Sequence, residues 1–172
     1  MTIKEYLILG EINTNAPVEF PKPSRVARRI VPDTLNDLTM GELIQMQGIR
    51  TDHDVLFVPC RVLLDMDERE VLKADAVEVL GFIHWTAREM KRINKLFAST
   101  SVPPTADEKK AGVEQLGFGM FGLLDYYAQR MGITDHEAVE HVPWVRVYKC
   151  LDMDARRIMF QRRLQHLLSN KK

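Results

Sequence analysis

Apolar residues recur at spacings of three and four along most of the chain, which is the period of an amphipathic helix. The longest such run covers residues 74–97, where charged side chains occupy the opposite face. Its apolar positions are Ala76, Val79, Leu80, Ile83, Ala87, Met90, Ile93 and Phe97. This pattern predicts one long helix with a buried face.

Helix-start signals precede two shorter helical stretches. Thr39 with Glu42, and Thr105 with Glu108, have the spacing of a capping box. In that motif the two side chains satisfy the first free amides of a helix. The first pair predicts a helix from about residue 38, and the second predicts one over residues 107–115.

The last third of the chain carries three more helical patterns. Residues 118–131 form the first and are closed by Gly132, which suits the left-handed position after a helix. Thr134 opens a short acidic helix, and residues 142–168 carry a long apolar stripe. The acidic residues at 152–154 suggest that this last stripe breaks in two.

Proline interrupts the pattern in two places. Residues 55–64 are apolar but contain Pro59, so a short helix and an extended segment both remain open. Residues 1–36 read as an extended, proline-rich arm, because proline lacks an amide donor and favours extended geometry before it; the prolines are Pro17, Pro21, Pro23 and Pro32. We therefore predict an all-α fold of about five or six helices, one compact domain over residues 37–172 preceded by this arm.

Composition narrows the setting. At 172 residues the chain suits one domain with an ordinary core, and its zero net charge predicts no global attraction to nucleic acid or membrane. Cys60 and Cys150 are widely separated, so we expect buried free thiols and not a disulfide framework. Neither a signal peptide nor an apolar run of about 20 residues is found, so we expect a cytoplasmic protein.

The segment Gly117–Gly122 matches the glycine spacing of dinucleotide-binding loops. That function requires a preceding strand, whereas this segment follows a helical pattern, and its bulky side chains would crowd a pyrophosphate. We interpret the glycines as sites of close helix packing and the aromatic residues as core.

Other catalytic or metal-binding patterns are incomplete. His136 and His141 are five residues apart, so on a helix they point in different directions, and His136 with Glu140 supplies only two ligands. No nucleophile motif is recognisable. We predict no catalytic residues, no cofactor and no metal, which favours a protein-binding role over an enzyme.

Charge is concentrated at the C-terminal end. Residues 143–172 contain eight Lys and Arg against two Asp, a local excess of six positive charges balanced by six negative charges elsewhere. Such asymmetry can attract an oppositely charged partner or a second copy of the chain, although a solvated helix face gives the same pattern. The candidate protein-binding residues are Phe118, Phe121, Tyr126, Trp144, Tyr148, Arg156, Arg157, Phe160 and Arg163, of which the aromatic ones also suit a core.

Four segments follow one another over about residues 38–168: Thr39–Gln47, Arg92–Phe97, Phe118–Ile133, and Glu137–Trp144 leading into a long basic helix. This order resembles that of the small helical tail assembly chaperones of tailed bacteriophages and their prophage relatives. The resemblance implies an all-helical protein without catalytic residues. It also implies binding to the tape measure protein, or another tail component, during virion assembly in the host cytoplasm.

The arm of about 36 residues departs from that family. It leaves open a structural virion role, as a connector or tail-completion component that assembles with other subunits or copies through the arm. A third alternative is a nucleic-acid-binding protein that uses its basic C-terminal helix, although we find no reader motif.

Overall fold

Nine α-helices account for most of the part that the computed structural model describes, which is residues 1–10 and 20–170. A two-stranded antiparallel ladder, β1 (Arg25–Val26) with β2 (Arg29–Ile30), lies between the first two helices, and a 3₁₀ turn at Val113–Gln115 lies between the sixth and seventh. The helices are α1 (Ile3–Gly10), α2 (Met40–Gln47), α3 (Asp52–Leu64), α4 (Glu68–Lys73), α5 (Ala76–Ser99), α6 (Ala106–Lys110), α7 (Gly119–Met131), α8 (His136–Glu140) and α9 (Trp144–Ser169).

The all-α prediction is confirmed. The helices outnumber the five or six expected because α1 lies in the segment predicted as an arm, α3 was left open between helix and extended segment, and α4 was not predicted. Helix α4 has only six residues, over which an apolar period cannot be recognised. The long helix predicted over residues 74–97 is present as α5, and α7 ends at Gly132 in the left-handed conformation, with φ of 67°.

Side-chain caps fix the starts of the short helices. Thr105 caps α6 in the predicted capping box, but the helix ends at Lys110, short of the predicted residue 115. The same reciprocal pairing opens α3 at Thr51 and α4 at Asp67, where it was not predicted. Each box satisfies amides that have no partner inside the helix, so these short elements do not rely on apolar burial alone.

The structure decides the alternative that Pro59 left open. Residues 52–64 form a continuous helix, α3, with Pro59 buried inside it. The proline forfeits one intrahelical hydrogen bond, and the apolar face around it is buried. The helix ends at Asp65, which adopts a left-handed conformation with φ of 50°.

The chain forms two compact units, and the first comprises residues 1–35 and 42–92. Its N-terminal residues are tied to the residues before α5, since the Ile3 amide donates to the Ala74 carbonyl at 3.0 Å and the Ala76 amide donates to the Met1 carbonyl at 2.9 Å. The buried side chains of this unit include Ile3, Val26, Val31, Leu35, Leu43, Val71, Val79 and Phe82.

Part of the predicted N-terminal arm is described. Residues 3–10 form α1, residues 25–30 form the two-stranded ladder, and apolar side chains from both parts are buried. Residues 11–19 lie outside the described residues. The arm and its boundary at residue 36 therefore stay predictions.

The segment that follows residue 19 packs closely on α5. A Cβ atom on Gly81 would lie 2.2 Å from the carbonyl oxygen of Pro21, so this approach requires a glycine. The rings of Phe20 and His84 meet edge to face at 5.7 Å, and the Lys22 ammonium lies 4.8 Å from the Trp85 ring. These contacts attach a proline-rich stretch to the helix without regular hydrogen bonding.

The second unit comprises residues 36–41 and 93–172. The residues before α2 pair with those before α9, because the Met40 amide donates to the Val142 carbonyl and the Trp144 amide donates to the Leu38 carbonyl, each at 2.9 Å. The buried side chains of this unit include Leu38, Met40, Ile93, Leu124, Tyr127, Ala128, Val139, Trp144 and Val147.

Candidate protein-binding surface

Helix α9 changes character along its length. Its first turn is in the core of the second unit, where Trp144 is 1% exposed and its ring lies 5.8 Å from that of Phe97. Beyond Ala155 nearly every residue is exposed, although the helix continues to Ser169. The break predicted at residues 152–154 is absent, so α9 is one continuous helix with an anchored start and an exposed end.

Five exposed apolar residues share one side of α9, and we call them the α9 stripe: Met153, Phe160, Leu164, Leu167 and Leu168. Their spacings of seven, four, three and one keep them within an arc of about 100°, since each residue advances by about 100° around an α-helix. Phe160 is 56% exposed and Leu167 is 61% exposed. Arg157 lies between Met153 and Phe160 on the same side, so the uninterrupted part of the stripe runs from Phe160 to Leu168. An exposed apolar stripe of this kind is typical of a helix that binds another protein.

Hydrogen bonds and ion pairs outside the stripe hold α9 to α7 and to the segment around Pro103 and Glu108, which belong to the same unit. The Arg162 guanidinium donates to the Pro103 carbonyl at 2.6 Å and to both carboxylate oxygens of Glu108 at 3.0 Å. Nearer the middle of α9, the Tyr126 hydroxyl donates to Asp154 at 2.5 Å, and the Arg130 guanidinium also donates to this carboxylate. The stripe is therefore presented on a braced helix.

The cluster on Asp154 also explains why the helix does not break there. The Tyr126 hydroxyl and the Arg130 guanidinium hold the pKa of Asp154 below its usual range, so this carboxylate is charged at neutral pH. Burial, together with the hydrogen bond to Asp154, raises the pKa of Tyr126 to about 12, so the phenol keeps its proton. Asp152 pairs with Arg156 one turn later, at 2.9 Å.

A shallow groove adjoins the stripe. It has a volume of about 430 Å³ and lies between the loop at Pro103 and the outer half of α9. Its lining consists of Pro103, Met159, Arg162, Arg163, His166 and Leu167. Because Leu167 belongs to both features, the groove adjoins the α9 stripe.

Basic side chains border this surface. Arg156 and Arg157 are 79% and 64% exposed at their side chains, and Arg163 is also exposed. Acidic residues are absent from the sequence between 155 and 170. The exposed end of α9 is therefore both apolar and positively charged.

The start of α7 carries a second, smaller apolar patch. Phe118 and Phe121 are 68% and 62% exposed, so the interpretation of these aromatic residues as core is wrong. The packing role is also wrong for Gly117 and Gly119, where a Cβ atom would meet no atom within 4 Å, whereas a Cβ atom on Gly122 would lie 2.6 Å from the Phe118 Cβ of the same segment. Gly119 instead has a positive φ of 54° as α7 begins, a conformation that glycine adopts without strain.

The predicted binding residues thus fall into three groups. Trp144 is a core residue and offers no contact surface, while Tyr126 and Tyr148 are half-buried and pack within the second unit. The α9 residues Phe160, Arg156, Arg157 and Arg163 lie together on its exposed part, and Phe118 and Phe121 are exposed on α7. Sequence reasoning missed Met153, Leu164, Leu167 and Leu168 as surface residues, although their spacing relative to Phe160 was visible.

Features that support other kinds of chemistry are limited in the described residues. No group of three or more His, Cys, Asp or Glu side chains there could hold a metal ion. Cys60 and Cys150 are free, and burial raises the pKa of Cys60 to about 12, which keeps its thiol protonated. None of the described helices combines the length and apolarity that crossing a bilayer requires.

Comparison with protein-family models, with curated proteins and with solved structures finds no match to this chain.

Proposed function

We propose that this chain is a non-enzymatic assembly factor that binds a helical segment of another protein along the α9 stripe. The observation that carries this proposal is the exposure of five large apolar side chains on one side of a helix that Arg162 and Asp154 hold in place. A helix that served only the core of its own unit would bury such a stripe.

The energetics favour binding by a helix. Fully burying one large apolar side chain stabilises a complex by about 1.5–3 kcal/mol, so five partly exposed ones can supply several kcal/mol. The opposing costs are lost translational freedom and side-chain ordering. Because α9 is already folded and held by Arg162 and Asp154, its own ordering adds little to that cost.

The particular role we propose is that of a tail assembly chaperone acting on a tape measure protein during virion assembly. A long helical partner with amphipathic segments would offer the α9 stripe a matching apolar face. The resemblance of the segments over residues 38–168 to that family supports this proposal, and the exposed basic end of α9 gives it a physical surface.

Co-expression with a phage tape measure protein encoded beside this chain, followed by pull-down, tests the proposal. We expect the unaltered chain to retain the tape measure protein and the double variant Phe160→Ser, Leu167→Ser to lose it. Ile158→Ser is the matched control, because Ile158 is 39% exposed but lies about 200° around the helix from Phe160. Equal retention by the double variant and the control would contradict the use of the stripe.

A further inference from the structure

The α9 stripe has the register of a helix-pairing seam. Met153, Arg157, Phe160, Leu164 and Leu167 are separated by alternating steps of four and three residues, which is the spacing of the inner positions of a coiled coil. Four of these five positions are apolar. Arg157 is the exception, and it places a positive charge inside the seam.

The edge of the seam is also basic. Arg156 and Arg163 are seven residues apart, so they occupy equivalent positions along one side of the stripe. In helix pairs these flanking positions face the flanking residues of the partner and determine which partner is accepted. The positive charge on this edge therefore favours a partner with negative charges at its own flanking positions.

The chain's own carboxylates leave this edge exposed. Asp154 accepts from Tyr126 and Arg130 and lies 3.9 Å from Arg157, while Asp152 lies 2.9 Å from Arg156. Yet Arg156 and Arg157 remain 79% and 64% exposed. In the described part of the chain Arg163 makes no ion pair within 4.0 Å.

The α9 helix of a second copy is a poor occupant of this seam. Pairing two α9 stripes side by side would bring the arginines of one copy near those of the other, and like charges at seam positions oppose association. An anionic bilayer would attract α9 but repel the rest of the chain, because residues 1–142 carry an excess of six negative charges. A separate acidic helix has neither disadvantage.

We infer that the partner of α9 is an amphipathic helix whose apolar stripe is bordered by Glu or Asp, and that its carboxylates pair with Arg156, Arg157 and Arg163. This inference rests on the proposed use of the α9 stripe and adds the chemical class of the partner. The apolar residues hold the helix, and the arginines select it from other amphipathic helices.

Two synthetic peptides test the inference against the full chain. Both carry the same leucine heptads, but one has Glu and the other Lys at every flanking position. Fluorescence anisotropy at low and high salt measures the two Kd values. We expect the Glu peptide to bind at least about tenfold more tightly, with a preference that shrinks as salt rises.

A charge-reversed variant supplies the decisive comparison. Arg156→Glu, Arg157→Glu, Arg163→Glu should prefer the Lys peptide, while the Gln variant at the same positions should bind both peptides equally. Circular dichroism confirms that each variant keeps its helices. Equal Kd values for both peptides on the unaltered chain would overturn the inference, as would a preference that survives charge reversal.

The remaining outcomes separate this inference from the proposed function. If neither peptide binds, or the chain instead dimerises through α9 or binds phosphatidylserine vesicles more tightly than the Glu peptide, the acidic-helix inference is wrong. The proposed function fails if the unaltered chain does not retain the tape measure protein, or if the Phe160→Ser, Leu167→Ser variant retains it equally well. If the Glu and Lys peptides bind equally well and the Phe160→Ser, Leu167→Ser variant loses the tape measure protein, the stripe binds a partner but charge does not select it.

Discussion

Helices α5 and α9 are similar in length, with 24 and 26 residues, but they differ in how they use their apolar side chains. Helix α5 buries residues along most of its length, from Ala76 through Phe82 to Ile93. Helix α9 buries only Trp144 and Val147 among its described residues. An apolar period therefore specifies a helix in both cases, but only in α5 does it specify a core.

The difference has a functional meaning. Exposed apolar surface favours aggregation, and a contiguous exposed stripe is more often a binding site than an accident of folding. On α9 the stripe is bordered by arginines that keep the surface hydrated when no partner is present. We therefore regard α5 as a helix whose apolar face is core, whereas the exposed stripe of α9 is the surface on which the proposed function rests.

The largest expected effect on the free energy of unfolding comes from truncating a phenylalanine on α5, and the same truncation on α9 is its comparison. Phe82→Ala on α5 should lower the free energy of unfolding by about 3–5 kcal/mol, because Phe82 is fully buried and its removal leaves a cavity. Phe160→Ala on α9 should change it by less than about 0.5 kcal/mol. Urea unfolding followed by circular dichroism measures both, and similar losses would show that the stripe is core after all.

A smaller loss of stability is expected at Gly81, where the backbone of Pro21 lies close to α5. Gly81→Ala should cost about 1–3 kcal/mol, because its Cβ would collide with the backbone of Pro21, which cannot move aside as a flexible side chain can. The better helix propensity of alanine, worth about 1 kcal/mol, offsets part of this cost. Gly117→Ala is the control without a collision, since Gly117 lies outside the helices and a Cβ atom there meets nothing. Thermal unfolding that ranks the two variants equally would contradict the close approach.

The sequence predicted much of the fold but less of the surface. The period of α5, the cap of α6 and the end of α7 at Gly132 depend on neighbouring residues, so sequence reasoning could recognise them. The caps of α3 and α4 were equally local and were overlooked. Whether Phe118 and Phe160 are buried depends on what packs on them from distant parts of the chain, and no local pattern contains that information.

The continuity of α9 through residues 152–154 could not be predicted from the local sequence either. Acidic residues at 152–154 predicted a break because Asp favours caps and turns over helix interiors. The structure instead gives Asp154 two donors from α7, Tyr126 and Arg130. This tertiary pairing overrides a weak local preference.

Weakening the hydrogen bonds of Asp154 with Tyr126 and Arg130 should lower the free energy of unfolding by a moderate, pH-dependent amount. Asp154→Asn should cost about 1–2 kcal/mol at pH 7, because an uncharged amide oxygen accepts from Tyr126 and Arg130 more weakly than the charged carboxylate does. The Tyr126 hydroxyl and the Arg130 guanidinium lower the pKa of Asp154 in the folded chain. The contribution is therefore fully present above the unfolded pKa of about 3.9 and is lost as the pH falls through the lower folded pKa.

Urea unfolding at pH 7, 5 and 3 measures this effect. The gap between the unaltered chain and the variant should be constant from pH 7 to 5 and smaller at pH 3. Asp152→Asn serves as the comparison, since Asp152 pairs with a largely exposed arginine and should cost no more than about 0.5 kcal/mol. A gap that does not change with pH would mean that the charge of Asp154 is not what stabilises the middle of α9.

The smallest expected effect has the opposite sign and concerns the buried face of α5. Thr86 is 1% exposed, and its hydroxyl has no hydrogen-bond partner among the described residues. A buried hydroxyl without a partner has lost its hydration and gained nothing in return. Thr86→Val keeps the branched shape and removes the polar atom, so it should raise the free energy of unfolding by about 0.5–1 kcal/mol.

Thr86→Ser makes the complementary test, because it keeps the hydroxyl and removes the methyl group. It should destabilise the chain by about 1 kcal/mol through the lost apolar contact. Opposite signs for the two variants in urea unfolding would show that the methyl group, and not the hydroxyl, is what α5 uses at this position. If Thr86→Val also destabilises the chain, the Thr86 hydroxyl forms a hydrogen bond in solution. The buried face of α5 would then contain a polar contact, which the α9 stripe lacks.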